Sequence, residues 1–397
     1  MSEWREYRLD EIGQVVGGGT PSSKVNAYWN GDVGWVTPAD LSGYQFKHIG
    51  NGSRDITELG LKKSSAKLHP KNTVLMTSRA PIGYLAIADK PVATNQGFQS
   101  IRCNEDIADF NFIYYLLGAY KEGIALIASG ATFPEVSGGK VRQYKIKLPP
   151  LPTQQKIAKI LSNYDDLIEN NLKRIELLEE SARLIYEEWF LRFRIDGKKL
   201  EIDPESSLPF GWELVELGDF LKFKKGKKAD EIFEEKKDNL IKLLLLSGLG
   251  SGEYAYVEKA RHVIARRGDV LMTMDGARSS VVFYSEDGAV GSTMSLVETG
   301  KLPKSYLYHF FKSTYEWLEI NNTGAAIPHA NKSFINKMKI IHPGDEILTK
   351  WSKKMYHIND QVFNLKDQNQ LLKEARDILL PRLMTGMIDT DELDIAV

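Results

Sequence analysis

Seven histidines (His48, His69, His262, His309, His329, His342 and His357) and one cysteine, Cys103, are the side chains in this sequence best suited to metal or nucleophilic chemistry. They are scattered. With no His-Glu-x-x-His segment and no second cysteine, spacing supports neither a zinc centre nor a Cys-His nucleophile. Phosphate cradling fares no better: Gly138-Gly139-Lys140-Val141 has valine where a P-loop needs a magnesium-binding hydroxyl. Gly17-Gly18-Gly19 could turn backbone amides toward a phosphate or could simply be a flexible loop between strands, and no G-x-G-x-x-G pattern follows it. Enzymes that methylate a base amino nitrogen hold the base with an Asn/Asp-Pro-Pro-aromatic loop, but the one Pro-Pro here, Pro149-Pro150, precedes leucine. Glu234-x-Lys236, within Asp230–Lys236, matches the acidic-basic spacing of a nuclease trio, a pattern charged surface helices produce constantly. The residues therefore predict binding surfaces, with no catalytic centre and no metal site.

The elements that would carry such surfaces come in duplicate. Residues 74–101 and 270–297 align without a gap at an offset of 196, so that Val74-Leu75-Met76-Thr77 returns as Val270-Leu271-Met272-Thr273. Gly130-Ala131 with Pro134 matches Gly324-Ala325 with Pro328, and Ser181-Ala182-Arg183 resembles Glu374-Ala375-Arg376. Tyr7–Gly13 is similar to Trp212–Gly218, each opening a half. Agreement in order and spacing marks a tandem duplication of about 195 residues.

Each half reads as a mixed block followed by a helix. Short β-rich runs such as Val74–Thr77 and Tyr84–Ala88 lie among Gly, Pro, Asn and Ser, giving strands and loops over residues 1–150. Pro149-Pro150-Leu151-Pro152 closes this block, with Thr153 expected to cap the helix after it. Ile157, Leu161, Tyr164, Ile168, Asn171, Ile175, Leu178, Ala182, Ile185 and Trp189 then alternate in steps of four and three, a heptad seam that predicts a helix over 151–195. At about 1.5 Å per residue such a helix needs a partner to cover its stripe. Ile358, Val362, Leu365, Asn369, Leu372, Ala375 and Leu379 supply one, in a distal helix and tail over 344–397. Each seam holds one asparagine, Asn171 or Asn369, which would fix register if buried or sit at a solvated edge if not. Residues 196–208 read as a polar linker and 209–343 as the second block. The expected fold is mixed α and β: two globular blocks separated by two long antiparallel coiled-coil helices with pseudo-two-fold symmetry.

Bulk properties set the frame. The chain has 397 residues, 42% hydrophobic and 26% charged, enough for two or three cores and too little charge for disorder. Its formal net charge of −1 announces no basic field, yet both mixed blocks are mildly basic and both helical segments acidic, which favours a nucleic-acid ligand. A lone cysteine fits a reducing compartment. The start Met1-Ser2-Glu3-Trp4-Arg5 does not read as a signal peptide, and no apolar run is long enough for a membrane span; Leu243–Leu246 reads as a strand. A cytoplasmic protein with no membrane partner is expected.

The ordered series Gly17-Gly18-Gly19-Thr20-Pro21-Ser22, Tyr28-Trp29, Gly31-Asp32, Ser78–Tyr84, Asn95-Gln96-Gly97, Ser129–Ser137 and Leu148–Ser162 resembles the DNA-specificity (S) subunits of type I restriction-modification systems, and the resemblance covers essentially the whole chain. It implies two target-recognition domains, each reading one half of a split, asymmetric site in double-stranded DNA, with the paired helices as a ruler. It implies that this chain is no enzyme and holds no cofactor: S-adenosylmethionine, ATP and Mg belong to two modification (methyltransferase) subunits and to restriction/translocase subunits that it docks. The second block departs from the first, with Asp275-Gly276-Ala277-Arg278 facing Arg79-Ala80-Pro81 and Gly291-Ser292-Thr293 facing Asn95-Gln96-Gly97, so different half-sites are expected.

Candidate contacts come from side-chain chemistry. Arg79 and Arg278 could address guanine, and Asn95 and Gln96 could make bidentate adenine contacts. Lys224, Lys225, Lys227 and Lys228 around Gly226 suit phosphate, where charge matters more than geometry. Thr20, Ser22, Lys24, Tyr84, Thr132, Asn331 and Lys332 complete the expected DNA surface. The acidic outer helix face, Glu179, Glu180, Glu187 and Glu188 with Trp189 and Phe190, is the expected partner surface. Two other readings stay open: a stand-alone DNA-binding or scaffolding protein outside any restriction system, which would co-purify with no methyltransferase, and an intrinsic nuclease, which would turn over alone with a divalent metal.

Overall fold

The structure is a computed structural model that describes residues 4–130, 132, 134–252 and 254–389. It divides into two compact units, one formed by residues up to Leu172 together with those from Asp367 onward, the other by Lys173–Lys366. The division therefore cuts through both long helices. Each mixed block buries the face of the helix segments beside it.

In the first unit the repeated strand Val74–Met76 is buried throughout and lies in the middle of a five-stranded sheet. The order is Gly13–Gly17, Gln99–Cys103, Val74–Met76, Leu85–Ala88, His48–Ile49. A three-stranded sheet, Trp29–Val36, Val92–Thr94 and Leu68–His69, packs beside it. Arg5–Arg8 pairs with Lys145–Leu148 and closes the block on itself. Covered on both faces, the central strands can be continuously apolar, which is why they show no alternation.

The second unit repeats the plan. Lys222–Lys225, Met294–Glu298, Val270–Thr273 and Val282–Tyr284 form one four-stranded sheet, and a second carries Leu240–Leu244 beside Gly288–Val290. Val270 pairs with Val297 as Val74 pairs with Ile101, the register predicted by the repeat. Glu213–Glu216 with Lys339–His342 closes this block. The four-leucine run is a strand only to Leu244; Leu246 opens a short helix.

The first long helix spans Leu151–Tyr186, starting two residues before Thr153, which is therefore not its cap, with Pro152 in the first turn where its missing N–H costs nothing. It ends earlier than 195, in a π-turn at Glu187–Leu191. The wider turn lets Tyr186, Trp189 and Phe190 all enter one aromatic core with Trp212, Tyr306 and Trp351. Residues 196–208 are no loose connector: Arg194–Ile195 pairs with Lys198–Lys199, and Leu208 is buried in the same core. The second long helix spans Asp345–Met384. Among the described residues, no helix is long and apolar enough to cross a membrane.

Most of the first predicted seam is buried, whereas in the second Val362, Leu365 and Asn369 are buried and Ile358, Leu372, Ala375 and Leu379 are half-buried. In the first unit Asn171 and Asn369 are 7% and 5% exposed, and the Asn171 amide donates to Asn369 Oδ1 at 2.9 Å while the Asn369 amide donates to the Ile168 carbonyl at 3.3 Å. In the second, Ile175 and Leu178 pack on Val362 and Leu365. Arg376 meets Asp165 at 2.6 Å, and Asp165 also accepts from Tyr115, which ties both helices to the first block. Within each unit rising numbers on one helix meet falling numbers on the other: the pair is antiparallel.

Candidate nucleic-acid interface

Four loops meet at one edge of the first unit, following Gly13–Gly17, Val74–Met76 and Val92–Thr94 and running over Ser129–Ser137. Backbone hydrogen bonds join them: the Gly19 amide donates to the Thr94 carbonyl at 2.8 Å, Ser78 to Gly97 at 2.8 Å and Val136 to Ser78 at 3.0 Å. A Cβ on Gly18 would lie 2.1 Å from the Asn95 carbonyl oxygen, so only glycine lets the first loop approach the third. Gly18 and Gly19 thus serve loop packing, a Cβ on Gly19 falling 2.3 Å from the Ser65 hydroxyl, and the Gly19 amide is already used.

The second unit builds the same edge from equivalent positions. Lys227 donates to Val290 at 3.2 Å, Met274 to Thr293 at 2.7 Å and Ala330 to Met274 at 2.8 Å. A Cβ on Gly226 would lie 2.2 Å from the Gly291 carbonyl, as at Gly18. The correspondence extends to single bridges: Arg79 and Ser129 each pair with Glu135, Asp275 and Thr323 each with His329.

Most of the sequence-predicted DNA residues lie on these edges. Thr20 and Gln96 are exposed and hydrogen-bonded to each other. Asn95 uses one lone pair of its side-chain oxygen to accept from the Gly97 amide at 2.8 Å, so it shapes the turn between the two. Ser22, Lys24 and Thr132 are exposed. Arg79 is half-buried and pairs with Glu135 at 3.5 Å. Tyr84 lies under the Lys121 ammonium, 5.3 Å from the ring centroid. In the second unit Lys224 pairs with Glu298 at 2.6 Å and Lys225 with Asp275 at 3.2 Å, whereas Lys227 and Lys228 are exposed. Arg278 is exposed beside Phe283, but the counterpart of Arg79 is Asp275. Asn331 caps the helix Lys332–Lys337, accepting from Phe334 N at 3.0 Å, and Lys332 covers the Phe223 ring. Burial opposes ionisation of Asp275, but hydrogen bonds from His329 at 2.8 Å and from Lys225 outweigh it and hold the carboxyl below the usual carboxylate range.

Sequence reading missed Glu135 and His329, the partners of Arg79 and Asp275, because an ion pair across loops has no local signature. It also missed Lys140, whose ammonium braces the edge through the Ile127 carbonyl at 2.7 Å and Ser129 at 2.8 Å. Leu126 and Ile320, 86% and 82% exposed, stand at matching positions before the fourth loop of each unit, and the repeat offset of 194 could have flagged them together.

The expected partner surface needs correction. Trp189 and Phe190 are 4% and 1% exposed, consumed by the aromatic core of the second unit, and cannot present a docking face. Glu187 and Glu188 are tied to Arg183, Arg192 and Arg194, Glu180 to Arg183, and Glu179 to Lys366. The Glu234-x-Lys236 segment lies in bends, not a helix, and among the described residues no three His, Cys, Asp or Glu side chains are grouped to hold a metal ion.

Comparison with known proteins bears on what such doubled edges are for. The family described as the type I restriction modification DNA specificity domain matches residues 1–180 and again 209–375. The chain is 32% identical over 418 residues to the type I restriction enzyme MjaIX specificity subunit of Methanocaldococcus jannaschii, covering 98% of this chain and 95% of that one. It is 23% identical over 473 residues to the HindI specificity subunit of Haemophilus influenzae, covering 98% and 100%. Among solved structures the type I restriction-modification S subunit from M. genitalium superposes with a TM-score of 0.60 at 18% identity over 96% of both chains, a likeness of fold.

Proposed function

Because the chain belongs to the family of type I restriction-modification DNA specificity subunits, we propose that each loop edge reads one half of a split, asymmetric sequence in double-stranded DNA and that the chain does no chemistry itself. The observation that carries this reading is the duplication of one loop edge on two equivalent blocks, with different side chains at corresponding positions. Phosphate contacts set register and base-edge contacts set sequence. Lys227 and Lys228 serve the first role, and the variable loop residues serve the second. The methyl donor, ATP and Mg act on modification and restriction subunits that dock to this chain.

Single-molecule methylation mapping of the host, with the gene intact and deleted, tests the reading. The expected result is a two-part motif with an undefined spacer, methylated only when the gene is present; an unchanged methylome on deletion defeats it. A stand-alone binding protein would leave the methylome unchanged and would purify without methyltransferase subunits.

A further inference from the structure

Corresponding positions on the two edges carry acid–base side-chain pairs of exchanged polarity. Arg79, at the end of the repeated strand, faces Glu135 of the fourth loop at 3.5 Å. One repeat later an acid stands where the base stood and a base where the acid stood: Asp275 is hydrogen-bonded to His329 at 2.8 Å and pairs with the Lys225 ammonium at 3.2 Å. Backbone bridges pin the same residues in both units, so the side-chain pairs occupy equivalent places although their charges are exchanged. Outside each pair the loops diverge, Ala80-Pro81-Ile82 against Gly276-Ala277-Arg278.

We propose that Arg79–Glu135 and Asp275–His329 are positioning pairs that set the approach of two loops to the bases, one pair for each half-site, and that their opposite polarity makes the two loops of a unit a matched set. The inference rests on the half-site reading above. Both Asp275 oxygens are engaged, one by His329 and one by Lys225, which leaves this side chain suited to orienting the loop and not to reading a base. Arg79 and Glu135 have side chains 35% and 41% exposed, and pairs this exposed add little to global stability. Their loss shifts the loops while the buried strands beneath stay folded. Exchanging the fourth loop alone between units would set Arg79 against His329 and Asp275 against Glu135, removing the attraction in both.

The test is methylation mapping of the host carrying full-length variants. E135R, which puts like charges together, is expected to raise methylation of sites with one mismatch in one half of the motif by about tenfold, the scale of a single base-pair preference. The other half and the spacer should stay intact. H329E should relax the opposite half, and the exchange R79E/E135R should restore the original motif. An unchanged motif in E135R, both halves relaxed together, or no recovery in R79E/E135R overturns the proposal, the last because Arg79 would then touch the base itself. If E135R abolishes methylation altogether, E135Q decides: a relaxed half supports the proposal, and an unaltered motif overturns it. Failure of the half-site reading looks different, since the wild-type gene would then direct no motif at all.

Discussion

His69 and His309 lie in the cores of different units, 0% and 6% exposed, each with one ring nitrogen lacking a partner among the described residues. Burial pushes both down to about 4, helped by Arg102 near His69 and Lys312 near His309. The unfolded chain takes up these protons near pH 6.5, the folded chain not until about 4, so stability falls as pH drops through that window. Each histidine should withdraw on the order of 2 kcal/mol between pH 7 and pH 5. Urea unfolding of H309Q at both pH values should show a correspondingly smaller loss than wild type; an equal loss would mean that folded His309 takes up its proton as readily as the unfolded chain does. The lysines allow a second residue-scale prediction. Lys224 and Lys225 are already paired and Lys227 and Lys228 are exposed, so K227A/K228A should carry most of the salt effect. The slope of log affinity against log salt should flatten by about 2, with the sequence read unaltered. An unchanged slope would place the phosphate contacts elsewhere.

At the scale of elements, the asparagine pair in the first unit decides a question the seam leaves open. Heptad spacing predicts which residues face inward, and Ile157, Leu161, Ile168, Val362 and Leu365 are buried accordingly. It cannot say whether Asn171 and Asn369 meet. They do. Replacing one alone, N171L, leaves the buried Asn369 Oδ1 without its donor and should cost about 1–3 kcal/mol. The double variant N171L/N369L removes both polar groups and should recover that stability or exceed it, while loosening helix register. Denaturant unfolding of the three proteins checks this, and a double variant no more stable than the single would contradict it. The helix ends were less legible: the π-turn at Glu187–Leu191 coincides with the entry of Tyr186, Trp189 and Phe190 into one core, and no local pattern announces that.

For the whole molecule, the repeat makes the blocks interchangeable in principle. A chain in which residues 1–150 also replace 209–343 should direct methylation to a motif whose two parts carry the same sequence, namely the first-unit half. Methylation mapping would show this, and survival of the original asymmetric motif would mean that residues outside the blocks specify it.

The amino-acid sequence alone determined the duplication, the two heptad helices and the mixed blocks, because periodicity and repeat spacing are written in order along the chain and survive without knowledge of contacts. It located most of the loop residues on each edge, since turn-forming Gly, Asn and Pro mark loops locally. Only the tertiary structure decided what those residues do: Asn95 and Asn331 hold turns and caps, Trp189 and Phe190 are core, and Glu135 and His329 complete pairs. Each of these outcomes depends on which distant group occupies the few ångströms beside a side chain, and long-range packing sets that proximity with no imprint on neighbouring sequence.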